Sequence, residues 1–260
     1  MLHSFADGRL FGARWGDGPT AVLALHGWRR THLDFARIFG AEGTGDGRSA
    51  VAVDLPGFGS APPPPEPWGT AEYAGLLVPL VDELAPGGGG LTVLGHSFGG
   101  RVALHLPRLA PGRVSRLVLT GVPLLPRDDA PARPDAGFRL VRRLHRMGLV
   151  GEERMERARR THGAADYRAA EGVMRQVFVR VVAERYAAIL AGLDCPVDLV
   201  WGEDDDEVPL RVAREAAALV PSASLTVLPG VGHLTVTEAP DALRALLLAS
   251  SGSGSPAGPA

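Results

Sequence analysis

Solid apolar runs recur along this chain at Thr20–Leu25, Ser49–Asp54, Leu91–Leu94, Arg116–Thr120, Val197–Trp201 and Leu225–Leu228. Runs without polar alternation predict strands buried on both faces, as in a parallel sheet. Stretches with a helical period lie between and after them, at 31–39, 70–84, from Val102 onward, at 210–219 and at 240–249. Thr31 is placed to cap the first of these, and Pro107 should end or kink the third. Strands alternating with helices predict an α/β fold with helices on both sheet faces. Residues 2–15 instead alternate loosely around Asp7-Gly8, which predicts an antiparallel edge pair.

Between 122 and 192 the texture changes. Buried strands stop, and helical patterns appear near 137–147, 151–160 and 167–190. The stretch carries 14 arginines against 9 acidic residues, a local charge of +5. It reads as a helical cap inserted into a core made of 1–121 and 193–249. Pro62–Pro65 reads as a rigid surface connection, and the Ser/Gly/Pro/Ala tail 250–260 as disordered.

Composition narrows the function classes. A net charge of −2 over 260 residues gives no general attraction to nucleic acid or an anionic membrane. Every one of the 27 basic residues is arginine, so a P-loop, which needs its lysine, is excluded. Cys195 is the only cysteine, which leaves neither an intrachain disulfide nor a thiolate metal cluster. No apolar run approaches the ~20 residues of a membrane span. The N-terminus lacks the basic and apolar regions of a signal peptide, so a cytoplasmic location is expected.

The candidate chemistry gathers at strand ends, where ligands bind on parallel sheets. Leu91–Leu94 runs into Gly95-His96-Ser97-Phe98-Gly99-Gly100, and a helical pattern follows. A strand reversing sharply into a helix holds Ser97 at a strained turn, with its hydroxyl exposed. Serine needs a base to take its proton, and the base needs an orienting acid. His233 follows the last strand. The acids Glu203, Asp204, Asp205, Asp206 and Glu207 follow the strand before it. Gly95-x-x-x-Gly99-Gly100 lacks the middle glycine of a dinucleotide fingerprint, because Ser97 stands there. His26 is expected to brace its loop and Asp54 to anchor the next one. His3, His32, His105, His145 and His162 show no paired ligand spacing, so no metal site is expected.

Five motifs in this order, His26-Gly27-Trp28, Asp54-Leu-Pro-Gly-Phe-Gly59, Gly95–Gly100, Gly202-Glu-Asp-Asp205 and Gly232-His233, resemble those of the α/β-hydrolase fold superfamily. The resemblance covers roughly residues 20 to 245. It implies a mostly parallel central sheet flanked by helices with an inserted helical cap, and a cofactor-free site. The family's spacing selects Asp205 as the catalytic acid, giving a triad of Ser97, Asp205 and His233. It also implies an oxyanion hole from the backbone N–H groups of Trp28 and Phe98, whose side chains help wall the acyl pocket. The implied reaction is hydrolysis of a small-molecule carboxylic ester or thioester through an acyl-enzyme on Ser97.

The His-Gly-Trp motif and the chain's size are similar to small carboxylesterases such as the pimeloyl carrier-protein methyl ester esterases, whose acidic partner the arginine-rich cap would suit. A carbon–carbon bond hydrolase and a menaquinone-pathway-type lyase, the latter on the Ser-x-Gly-Gly-Arg101 pattern, are enzymatic alternatives. A hydrolase-fold protein that only binds a small ligand is the non-enzymatic one.

Overall fold

The computed structural model describes residues 2–40, 43–88, 90–126, 136–151, 153–155 and 165–249. Eight strands form one sheet: β1 (His3–Phe5), β2 (Leu10–Trp15), β3 (Thr20–Leu25), β4 (Ser49–Asp54), β5 (Leu91–His96), β6 (Val114–Thr120), β7 (Val197–Gly202) and β8 (Ala223–Leu228). Their order is β1-β2-β4-β3-β5-β6-β7-β8. β2 is antiparallel to both β1 and β4, while β3 to β8 are mutually parallel. The chain leaves β3 to build one side and returns at β5 to build the other. The carboxyl ends of β3 and β5 therefore flank the topological switch point, where such sheets open a crevice.

Strands β3 to β7 are largely buried, β4 along its whole length, while the edge strand β8 is half-buried to exposed. On one face Ala24, Leu94, Val118 and Val200 pack against Phe35, Phe39, Leu243 and neighbouring apolar residues. Helix α2 (Thr70–Leu84) brings its own stripe of Tyr73, Leu77, Leu80 and Val81 into the core.

Several helices differ from the sequence pattern. Residues 31–39 form a 3-10 turn, His32–Phe35, followed by the single-turn α1, Ala36–Phe39. Thr31 does cap it, its hydroxyl accepting from Leu33 N–H at 3.3 Å. The helix after β5 begins at Phe98 rather than Val102, as α3 (Phe98–Ala103). It stops before Pro107, which lies in the first turn of α4 (Leu106–Leu109), where a missing N–H costs nothing. After α5 (Ala136–Arg146), the expected helix over 167–190 is three: α6 (Ala165–Ala169), α7 (Gly172–Ala183) and α8 (Ala187–Ala191). Gly172 at φ +53° and the extended Glu184 interrupt it. The remaining helices are α9 (Leu210–Leu219), α10 (Thr235–Glu238) and α11 (Pro240–Ala249). The pattern at 151–160 falls mostly outside the described residues, and the tail 250–260 wholly so.

The chain divides into two compact units. One comprises Met1–Pro62, Thr70–Leu125 and Arg185–Ala260 and contains the sheet. The other comprises Pro63–Gly69 and Pro126–Glu184. The proline-rich segment thus groups with the helical unit, where Arg180 donates to the Pro67 carbonyl at 2.6 Å. Residues 185–192 stay with the sheet, because Tyr186 and Leu190 are buried there. Among the described residues, no helix is long and apolar enough to cross a membrane.

Candidate active site

Ser97 sits between β5 and α3 at φ 48° and ψ −112°, a conformation that costs a non-glycine residue about 1–3 kcal/mol. The glycines around it are required by contact. A Cβ on Gly99 would lie 2.2 Å from the Leu25 carbonyl oxygen, and one on Gly95 would lie 2.4 Å from the Gly100 Cα. α3 is therefore pressed against the ends of β3 and β5. Ser97 N–H donates to the Thr120 carbonyl at 2.9 Å, tying the turn to the end of β6. The N–H of Phe98 has no acceptor among the described residues, as expected of a first helical residue.

Beside this turn lies the loop after β3. Leu55 N–H donates to His26 Nε2 at 2.9 Å, so the ring proton is on Nδ1, which donates to the Gly27 carbonyl at 2.8 Å. Burial drives the His26 pKa down to about 4 and keeps the ring neutral. Arg30 N–H also donates to the Gly27 carbonyl. Because a trans peptide points its C=O and N–H in opposite directions, the Trp28 N–H faces away from these donors. The Trp28 ring packs edge-on against Phe58 at 4.9 Å and Phe98 at 5.4 Å, and Phe98 meets Tyr73 at 5.1 Å. Phe58, from the Asp54–Gly59 motif, and Tyr73, which lies in none of the motifs, extend the aromatic wall. No local spacing joins them to Trp28.

Asp54 closes the third loop. Its carboxylate accepts from His32 N–H and Nδ1, both at 2.8 Å, and from Ser60 N–H at 2.8 Å. Burial pushes its pKa up, but these bonds outweigh burial and hold it below the ordinary value. It anchors residues 55–60, as expected from the sequence.

The loops after β7 and β8 carry the acid and the imidazole. His233 Nδ1 lies 2.9 and 3.1 Å from the two oxygens of Asp205, which is 4% exposed. Val208 N–H donates to Asp205 Oδ1 at 2.7 Å, and the Trp201 indole donates to the Val208 carbonyl at 2.8 Å. The turn thus brings Asp205, alone of the acidic run, into hydrogen bonds with the imidazole among the described residues. Burial disfavours the His233 imidazolium. The Asp205 hydrogen bond and the charges of Asp205, Glu207 and Asp206 outweigh it and raise the pKa.

His233 also lies against Gly121, where a Cβ would come 2.9 Å from Cε1, so Ser97 and His233 flank the same Thr120–Gly121 corner. No hydrogen bond joins the Ser97 hydroxyl to His233 among the described residues. On the far side of the imidazole, Nε2 stands 3.6 Å from Glu207 Oε2. No group of three or more metal-binding side chains occurs among the described residues.

A separate cavity of ≈ 410 Å³ opens at the opposite, amino-terminal ends of the strands, lined in part by Arg48, Thr92, Ser115, Arg116 and Asp198. Its arginines are engaged by Asp46 and Asp198. None of the motif residues reaches it.

A sheet of this order, with a strained serine after β5 and an acid–imidazole pair after β7 and β8, defines a class. The profile of the alpha/beta hydrolase family matches residues 22–246, and the chain belongs to that family. It is 28% identical to a pimeloyl-[acyl-carrier protein] methyl ester esterase of Chromobacterium violaceum, over 91% of this chain and 96% of that one. It is 27% identical to a 2-hydroxy-6-oxononadienedioate/2-hydroxy-6-oxononatrienedioate hydrolase of Cupriavidus pinatubonensis, over 84% and 82%. Among solved structures, an esterase from Exiguobacterium antarcticum superposes with a TM-score of 0.71 at 18% identity, covering 97% of this chain and 99% of that one.

Proposed function

We propose that the protein is a serine carboxylesterase that hydrolyses a small-molecule ester or thioester through an acyl-enzyme on Ser97. The observation that carries this reading is the Asp205–His233 pair at 2.9 Å, beside the same corner that holds the strained Ser97 turn. In the reaction, neutral His233 takes the hydroxyl proton as Ser97 attacks the carbonyl carbon. Asp205 holds the tautomer with the proton on Nδ1 and stabilises the imidazolium that forms. His233 then gives its proton to the departing alkoxide, and water repeats the sequence on the acyl-enzyme. Long serine–base contacts are common in enzymes without substrate and tighten on binding.

The backbone N–H groups of Phe98 and Trp28 are the proposed oxyanion donors. The free first-turn amide of Phe98 supports this, as does the inward-bound Gly27 carbonyl, which turns the Trp28 N–H away. The aromatic faces of Trp28 and Phe98 suit an acyl chain. Within the stretch 122–192, the part that falls outside the sheet-bearing unit, 126–184, is proposed as the substrate-selecting cap, and the cytoplasm as the working compartment. No cofactor enters the scheme.

Incubation with a fluorophosphonate probe should label the wild-type protein on Ser97 and leave Ser97→Ala unlabelled. Hydrolysis of short p-nitrophenyl esters should fall by at least about 10³-fold in that variant. Full turnover by Ser97→Ala would refute the mechanism. The relative from Chromobacterium violaceum favours one second reading, cleavage of an ester on a carrier-protein-bound acyl chain. Turnover of such an acyl methyl ester well above that of the free ester would establish it.

A further inference from the structure

The imidazole of His233 is met by carboxylates at both nitrogens. Asp205 takes Nδ1 through hydrogen bonds, while Glu207 faces Nε2 at 3.6 Å from a side chain that is 65% exposed. Nε2 is the nitrogen the proposed mechanism needs for Ser97, and it makes no hydrogen bond to that hydroxyl among the described residues. The geometry points to Glu207 as a positioning residue that holds the protonated imidazole away from Ser97 and releases it when the ring loses its proton. This inference rests on the serine-hydrolase reading and adds to it a residue that no triad contains.

The argument is one of donors and acceptors. Protonated Nε2–H is a donor with a positive charge behind it, and a carboxylate is a better partner for it than a neutral hydroxyl. Deprotonated Nε2 is only an acceptor, as is a carboxylate, so the two gain nothing from each other. The Ser97 O–H is then the nearby side-chain donor that can bond it, and the released proton goes to solvent. Glu207 is exposed enough to close the remaining distance by rotating its own side chain.

The other groups facing the ring do not supply this contact. Asp205 is committed to Nδ1 and Val208 N–H. Asp206 contributes a negative charge that also favours the imidazolium. His96, on β5 with its ring centroid 5.1 Å away, is held neutral by burial, its pKa near 3. Glu238, on α10 after the histidine loop, accepts from Gly232 N–H at 2.7 Å.

The test is the pH dependence of Ser97 labelling by a fluorophosphonate probe and of p-nitrophenyl acetate hydrolysis, from pH 5 to 9. Wild type is compared with Glu207→Gln and with Glu203→Gln as a charge-matched control in the same loop. In parallel, the His233 Cε1–H resonance is titrated by NMR. Removing a mostly solvated carboxylate at this distance should lower the acid limb and the NMR titration together by about 0.5–1 pH unit. Reactivity near pH 5.5 then rises about three- to tenfold, and 0.5 M salt narrows the gap between the proteins. Glu203→Gln should leave both curves in place. Coincident curves for wild type and Glu207→Gln overturn the proposal, as does a tenfold or greater loss at pH 9, which would make Glu207 a direct participant. Absence of Ser97-dependent labelling in every protein would instead remove the hydrolase reading, while the NMR titration still decides whether Glu207 holds the ring.

Discussion

Asp205 is oriented by neighbours that carry no charge. Val208 N–H fixes one carboxylate oxygen, and the Trp201 indole fixes Val208 through its carbonyl. Trp201→Phe keeps an aromatic ring but loses the indole N–H and part of its volume, leaving a buried carbonyl unpaired and a cavity behind. Stability should fall by about 2–4 kcal/mol, and kcat for a p-nitrophenyl ester should fall several-fold while KM changes little. Chemical denaturation and steady-state kinetics on the same preparation separate the two effects. Asp205→Asn should be far more severe, about 10⁴-fold in kcat, because the amide favours the wrong imidazole tautomer. The residues alone left five acids open, since all five share one loop and differ only in where the turn points them. Trp201 itself reads from the sequence as no more than an apolar strand residue, because its partner lies seven positions on.

At the level of elements, the elbow is a packing solution before it is a chemical one. Gly99→Ala would drive a methyl group into the Leu25 carbonyl at 2.2 Å, and backbone cannot swing aside as a side chain can. It should destabilise the protein by about 3 kcal/mol or more, visible as a large drop in Tm or as loss of soluble protein. The strands were legible because burial on both faces leaves unbroken apolar runs, and Ser49–Asp54 matches β4 residue for residue. Helix breaks were less so. The run through 167–190 has good helix formers on both sides of Gly172 and Glu184, and the left-handed φ of the one and the extended backbone of the other mark the interruptions. Pro62–Pro65 reads as a rigid surface connection, and nothing local shows that the following Pro67 carbonyl meets Arg180, more than a hundred residues away.

Over the whole molecule, two buried imidazoles make acid a threat to the fold. Burial lowers the pKa of His26 to about 4 and of His96 to about 3, from an ordinary 6.5. Groups with lowered pKa values stabilise the fold fully above pH 6.5 and withdraw that contribution as the pH falls toward 4. For His26 alone the loss amounts to about 3 kcal/mol. His233 has the opposite sign, since its raised pKa favours the folded state below pH 6.5, but it is one group against two. Urea midpoints should therefore drop steeply between pH 6.5 and 4.5, and His26→Gln should flatten the drop. Strand order was the part of the architecture that could not be read from the chain, because register and neighbour are set by contacts between distant segments.

The two places where the chain re-enters the sheet-bearing unit are joined there. Thr70, the first residue after 63–69, meets the Tyr186 hydroxyl at 3.3 Å and His105 Nε2 at 2.9 Å, and Arg101 stacks over the Tyr186 ring. Whatever polypeptide fills the excursion, its return is clamped to a fixed point a turn away from Ser97. A change of length within that excursion should therefore leave the spacing of the strand-end loops unaltered, since both of its junctions are tied to the sheet-bearing unit.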